Sequence, residues 1–262
     1  MSIFSNDTFS DQVALVTGGG TGIGKEIARS FGRSGAKLVI CSRRLEVIEA
    51  TAKEFEDEGL SCLAVQCDVR KPDEVENVIA STLERYGRLD ILVNNAAGNF
   101  PAPMAGISYN GFKSVVDIDL LGTYNVSKAA FEAWLKDHGG NVVNITAPFQ
   151  HVGPTLQAHV AAAKSGVDSL TRSCASEWGP HGIRVNAVAP GGISDTEGLA
   201  RFDSVSSGKG NASCPLRRVG SKQDIANTVL FLASEAASYV TGQVICVDGG
   251  SSVDSMKIAL DA

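Results

Sequence analysis

Basic charge is scarce in this chain: 23 Lys and Arg stand against 29 Asp and Glu, a net charge of −6. That balance argues against a nucleic-acid binder that relies on a net positive field. Aromatic residues make up only 6% of the sequence, too few for stacking platforms to be a theme. The six cysteines, Cys41, Cys62, Cys67, Cys174, Cys214 and Cys246, are scattered, with no C-x-x-C pair among them. They read as reduced, mostly buried thiols rather than a disulfide framework or a metal site. No apolar run approaches the ~20 residues of a membrane-spanning helix, so no membrane partner is expected. The stretch from Met1 to Asp7 lacks the basic-then-apolar layout of a secretory leader, and the final Leu260-Asp261-Ala262 is not a Ser-Lys-Leu type of address. The expected compartment is the cytoplasm.

What is present is alternation. Short apolar runs at Val13 to Thr17, Lys37 to Cys41, Cys62 to Cys67, Leu89 to Val93, Asn141 to Ile145, Val185 to Val188 and Val244 to Val247 read as strands. Between them lie helical patterns at Gly24 to Ser34, Leu45 to Glu58, from about Pro72, Val115 to His138, Leu156 to Trp178 and Lys222 to Ser234. Strands apolar on both faces and separated by helices predict an α/β fold with a parallel sheet covered on both sides. No linker or internal repeat divides the chain, so residues 1–262 are expected to form a single domain. The stretch of about 192–219 breaks the rhythm, and its length suits a substrate-binding loop.

Three features point to a dinucleotide. The stretch Thr17-Gly18-Gly19-Gly20-Thr21-Gly22-Ile23-Gly24 falls between the first strand and the first helix. There it supplies a tight turn, close backbone approach and a helix N-terminus aimed at a pyrophosphate. The second strand ends in Cys41-Ser42-Arg43-Arg44, where an acidic residue would hold the ribose hydroxyls of NAD and a basic one pairs with a 2′-phosphate. Arg43 therefore favours NADPH. Asp68, after the third strand, is placed to accept from an adenine amino group.

These motifs, with Asn94-Asn95-Ala96-Ala97-Gly98, Pro190-Gly191-Gly192-Ile193 and Asp248-Gly249-Gly250, resemble the short-chain dehydrogenase/reductase family over about residues 10 to 250. The resemblance implies a three-layer, Rossmann-type doubly wound parallel sheet of about seven strands, usually in a homotetramer. It also implies that Asn95, Pro190, Gly191, Ile193 and Thr196 line the cofactor, beside Gly18, Thr21, Gly22 and Ile23 of the glycine-rich turn.

The family's usual active site joins Asn and Ser to a Tyr and Lys spaced Y-x-x-x-K on one helix. Here Lys164 is present, but the tyrosine position is Val160, the serine position Ala147 and the asparagine position Asp119. Carbonyl reduction through a tyrosine acid is thereby excluded. His159 is one residue from the tyrosine position, ~100° around the helix, and reads as a packing or supporting histidine.

The altered set is similar to that of the peroxisomal-type 2,4-dienoyl-CoA reductases, which also lack the tyrosine and use an aspartate and the lysine at these places. The resemblance implies Asp119 and Lys164 as the catalytic pair, with Lys164 also on the nicotinamide ribose. It places Phe100 with Ser108, Tyr109 and Asn110 around the acyl-thioester end. Reduction of a dienoyl thioester ends with a proton delivered to carbon, so a water held by Asp119 and Lys164 can replace the phenol. Arg43, Arg70 and Arg201 are the candidate cations for the phosphates of coenzyme A. The alternatives are a trans-2-enoyl-CoA or other conjugated acyl-thioester reductase, and an NADP-binding scaffold without catalysis.

Overall fold

In the computed structural model the described residues are 4–149, 152–200 and 214–253. Seven strands, β1 (Val13–Thr17), β2 (Lys37–Ser42), β3 (Cys62–Gln66), β4 (Ile91–Asn94), β5 (Gly140–Ile145), β6 (Ile183–Pro190) and β7 (Val244–Val247), form one sheet. Their order is β3-β2-β1-β4-β5-β6-β7, and every pairing is parallel. Parallel neighbours need crossovers, and helices supply them: α1 (Gly22–Arg33), α2 (Leu45–Asp57) and α3 (Pro72–Tyr86), a long helix α4 over 109–138, α5 (Ala158–Trp178) and α6 (Lys222–Ala233).

The apolar runs fill two cores because alternate residues of a strand point to opposite faces. Ala14, Val16, Leu38 and Ile40 join Ile27 and Phe31 of α1, Phe55 of α2 and Val229 of α6 on one face. Val13, Leu15, Val39 and Cys41 join Val75 and Ile79 of α3, Val126 of α4 and Ala175 of α5 on the other. The result is the expected three-layer, doubly wound arrangement. Burying each large side chain in such a core contributes about 1.5–3 kcal/mol.

Two element boundaries depart from the sequence expectation. Helix α5 begins at Ala158 rather than Leu156, because Leu156 adopts φ +65 and cannot lie in a right-handed helix. Helix α4 begins at Tyr109, well before Val115, because the Ser108 hydroxyl accepts from the Gly111 amide and caps the first turn. Within α4, the segments Asp117–Leu121 and Phe131–Leu135 are π-helical. The first of these carries Asp119.

Chain order reverses between β1 and its neighbour β4, so the loops leaving their carboxyl ends diverge and open a crevice. The carboxyl end of β5 and the first turns of α5 form its continuation.

Candidate active site

The crevice begins at the glycine-rich turn. Gly18 takes φ +64, a left-handed conformation, and its amide donates to the Cys41 carbonyl at 2.8 Å. A Cβ on Gly24 would stand 2.3 Å from Asn95 Nδ2 and 2.5 Å from the Gly18 carbonyl oxygen, so only hydrogen fits there. Asn95 Nδ2 donates to the carbonyls of Thr17 at 3.0 Å and Gly18 at 3.3 Å. The Thr17 hydroxyl in turn accepts from the amides of Asn95 and Ala96. Asn95 thus spends its amide group on fixing the turn across β1 and β4.

Helix α1 opens onto this turn with Thr21 at its N-cap, and the Thr21 side chain makes no capping bond. The first amides of the helix are therefore available to an anion. The cavity in front of them measures about 500 Å³ and is lined by Gly18, Thr21, Gly22, Ile23, Arg43, Asp68 and Asn95. A tight turn that excludes a Cβ, an uncapped helix start and an arginine at the tip of β2 fit a dinucleotide with its pyrophosphate on α1. Asp68 is not free: Arg70 forks onto its carboxylate, Nε lying 2.9 and 3.1 Å from the two oxygens. The Arg70 guanidinium holds the Asp68 carboxyl below its ordinary value. Arg70 is accordingly committed to Asp68 rather than waiting for a phosphate.

A second cavity of about 390 Å³ is lined by Asp119, Lys164, Ala147, Val160, Pro190, Gly191, Ile193 and Thr196. Ile23, Ala97, Thr196 and Gly198 line both chambers, which open into one another. In this second chamber Lys164 Nζ lies 3.3 Å from Asp119 Oδ2, and both side chains are nearly buried. Lys164 also donates to the Ile145 carbonyl at 2.9 Å, at the end of β5. Asp119 Oδ1 accepts from the Gly98 amide at 2.7 Å, whereas Oδ2 has no aligned hydrogen bond among the described residues. One carboxylate oxygen is thus clamped by the backbone, and the other keeps its lone pairs beside the ammonium.

Val160 lines the chamber one turn before Lys164, as the spacing predicts, and offers no hydroxyl. His159 points elsewhere: its ring packs on Phe100, centroids 4.4 Å apart. Phe100 also meets the first turn of α4, where a Cβ on Gly111 would lie 3.2 Å from the ring. Phe100 therefore neighbours the turn of Ser108, Tyr109 and Asn110, but none of these four lines either chamber. The Ser108 hydroxyl caps α4, and Tyr109 is almost fully exposed. Arg201 lies outside the described residues.

Three features of the site are absent from the sequence reading. Phe149 and Gln157 line the second chamber, although nothing in their local pattern marks them. The Gly98 amide, part of the recognised Asn-Asn-Ala-Ala-Gly stretch, orients Asp119 rather than merely shaping a loop. Asp168, one turn beyond Lys164, is a buried carboxyl whose value burial raises, against the opposing effects of Thr146, Arg172 and Lys164.

A doubly wound sheet with an anion-ready turn and a lysine–carboxylate pair at the adjoining chamber defines a nucleotide-dependent oxidoreductase. Comparison narrows the class. A family model described as enoyl-(acyl carrier protein) reductase matches residues 18–252. The chain is 49% identical over 252 residues to the peroxisomal 2,4-dienoyl-CoA reductase [(3E)-enoyl-CoA-producing] of Danio rerio, covering 95% of this chain and 84% of the relative. The protein of that name from Rattus norvegicus is 50% identical over 252 residues, covering 95% and 86%. Among solved structures, a citronellol catabolism dehydrogenase of Pseudomonas aeruginosa superposes with a TM-score of 0.86 at 38% identity, over 96% of this chain and 99% of that one. The chain belongs to the short-chain dehydrogenase/reductase family.

Proposed function

We propose that this chain is an NADPH-dependent 2,4-dienoyl-CoA reductase, giving the 3-enoyl thioester in the degradation of unsaturated fatty acids. The observation that carries the reading is the Asp119–Lys164 pair, standing in a chamber where Val160 and Ala147 replace the hydroxyls of a carbonyl reductase. Identity of 49–50% to two dienoyl-CoA reductases along nearly the whole chain supports the same substrate class.

The cofactor is held by the Gly18–Ile23 turn and Arg43 at its phosphates and by Pro190, Gly191, Ile193, Thr196 and Lys164 around the nicotinamide, which supplies the hydride. Asn95 serves it indirectly, by fixing the turn. Once the dienoyl C5 is reduced, negative charge is shared by C4, C2 and the thioester oxygen, and the 3-enoyl product requires the proton to reach C2. Asp119 Oδ2 accepts one hydrogen of a water and aims it, while the Lys164 ammonium donates to the oxygen of that water. The water protonates C2, and the Lys164 charge stabilises the hydroxide until solvent restores it. The Gly98 amide keeps Asp119 from turning away. Phe100 and the Ser108–Asn110 turn, although outside both chambers, are proposed to meet the acyl-thioester end of the substrate, and Arg43, Arg70 and Arg201 are the cations offered to coenzyme A. Arg70 must then share its guanidinium with Asp68.

The protein is proposed to act as a single-domain subunit of a homotetramer, which half-exposed Leu121 and Tyr124 on α4 support. The proposed compartment is the cytoplasm, against relatives that are peroxisomal by name. Cell fractionation decides between these, and sedimentation tests the assembly. Among the described residues no helix is long and apolar enough to cross a membrane.

The test of the function is NADPH oxidation with a dienoyl-CoA, a trans-2-enoyl-CoA and a 3-ketoacyl-CoA. The dienoyl thioester should turn over in the ordinary enzyme range of ~1–10³ s⁻¹. The ketone should be nearly inert, since no hydroxyl stands at positions 147 and 160. Preference for the enoyl thioester would make the chain an enoyl reductase, and turnover of none would make it a scaffold.

A further inference from the structure

His159 is fully buried on α5, and neither of its ring nitrogens has a hydrogen-bond partner of normal geometry among the described residues. Leaving a buried polar group unsatisfied typically costs ~1–3 kcal/mol, so an apolar ring would be the more stable occupant if packing were the only requirement. The imidazole sits behind Phe100, tilted 45° to its ring. Burial lowers its proton affinity, while the Phe100 main chain and the Asp119 charge act in the opposite sense. The stretch it supports is short and decisive: Gly98 holds the Asp119 carboxylate through its amide, and two residues later Phe100 rests on the imidazole.

We propose that His159 is a positioning residue for Asp119: wedged behind Phe100, it fixes the 98–100 turn, whose Gly98 amide aims the catalytic carboxylate. The histidine touches neither chamber. Its influence on the reaction passes through the Phe100 ring to the backbone of that stretch, and the polar ring, kept where an apolar one would be the more stable, is part of what holds it. This inference rests on the proposed dienoyl-CoA reductase reaction.

Three variants and one combination test it. His159→Ala should lower kcat on dienoyl-CoA by ~10- to 10²-fold, the scale of a displacement of about 1 Å at a catalytic group, with KM nearly unchanged. His159→Gln, which keeps a polar side chain behind Phe100, should recover most of the rate. His159→Phe, which keeps only the ring, should not. NADPH titration, followed by fluorescence, reports that each variant is folded. In an Asp119→Asn background, His159→Ala should add almost nothing, because the group it positions is already gone. A His159→Phe variant as fast as the parent, or effects of His159 and Asp119 that simply multiply, would overturn the inference while leaving the reductase reading intact. A parent that does not reduce dienoyl-CoA would overturn that reading, and this inference with it.

Discussion

Replacing Asp119 by asparagine changes one atom and removes one charge. The parent carboxylate sits 3.3 Å from Lys164 Nζ, with 1% of the Asp119 side chain and 9% of the Lys164 side chain exposed. At an effective dielectric constant of about 20, that separation corresponds to ~5 kcal/mol of gross attraction. Desolvation of the two charges offsets much of it. Removing one partner, however, leaves the other buried and alone, at a typical cost of ~3–5 kcal/mol. The Ile145 carbonyl, which accepts from Lys164 at 2.9 Å, remains and places the expected loss toward the lower end. Asparagine can keep the Gly98 contact through its carbonyl, so the turn should stay in place while an NH2 group faces the ammonium. Urea unfolding should therefore report a loss of about 3 kcal/mol. Steady-state reduction of dienoyl-CoA should fall by ~10²–10⁴ in kcat, with NADPH affinity nearly unaltered. An asparagine variant as fast as the parent would refute the catalytic carboxylate, and one as stable would refute the buried pair.

Arg43→Ala should erase a preference for NADPH over NADH, a loss of roughly ten- to hundredfold in relative affinity, measured by titrating both cofactors. Gly24→Ala should cost ~1–3 kcal/mol in unfolding experiments and weaken NADPH binding, because the new methyl meets Asn95 and the Gly18 carbonyl. For Asp168, burial raises the folded-state value, so its contribution is fully favourable below the unfolded value of about 3.9 and is lost as pH rises through the raised one. Asp168→Asn should thus be nearly neutral at about pH 4 and stabilising at about pH 7, read as the change in melting temperature of variant and parent.

Much of the sheet is legible from the chain because strands buried on both faces read as unbroken apolar runs, as in Val13–Thr17. The glycine-rich turn is legible because the demand for positive φ and absent Cβ atoms is local, as at Gly18 and Gly24. The start of α4 is less so: its signal is a single cap, Ser108, ahead of a turn containing Gly111. The π turn over Asp117–Leu121, which packs against α5, has no sequence signature. Asp119 attracts notice because it departs from the family's usual set and Lys164 because it is retained, yet what orients Asp119 is a backbone amide 21 residues earlier. The same holds for Arg70. As a cation near a strand end it invites a phosphate, and only the folded chain reveals its commitment to Asp68.

The central claim is that Asp119 and Lys164 deliver a solvent proton to carbon in place of a phenol acting on oxygen. Reduction of a 2,4-dienoyl-CoA in heavy water, with the product analysed by NMR, tests it most directly. The account predicts a 3-enoyl thioester carrying solvent deuterium at C2, and strong slowing of its formation by Asp119→Asn. A 2-enoyl product with solvent deuterium at C4, or unchanged formation of the 3-enoyl product by the asparagine variant, would contradict it.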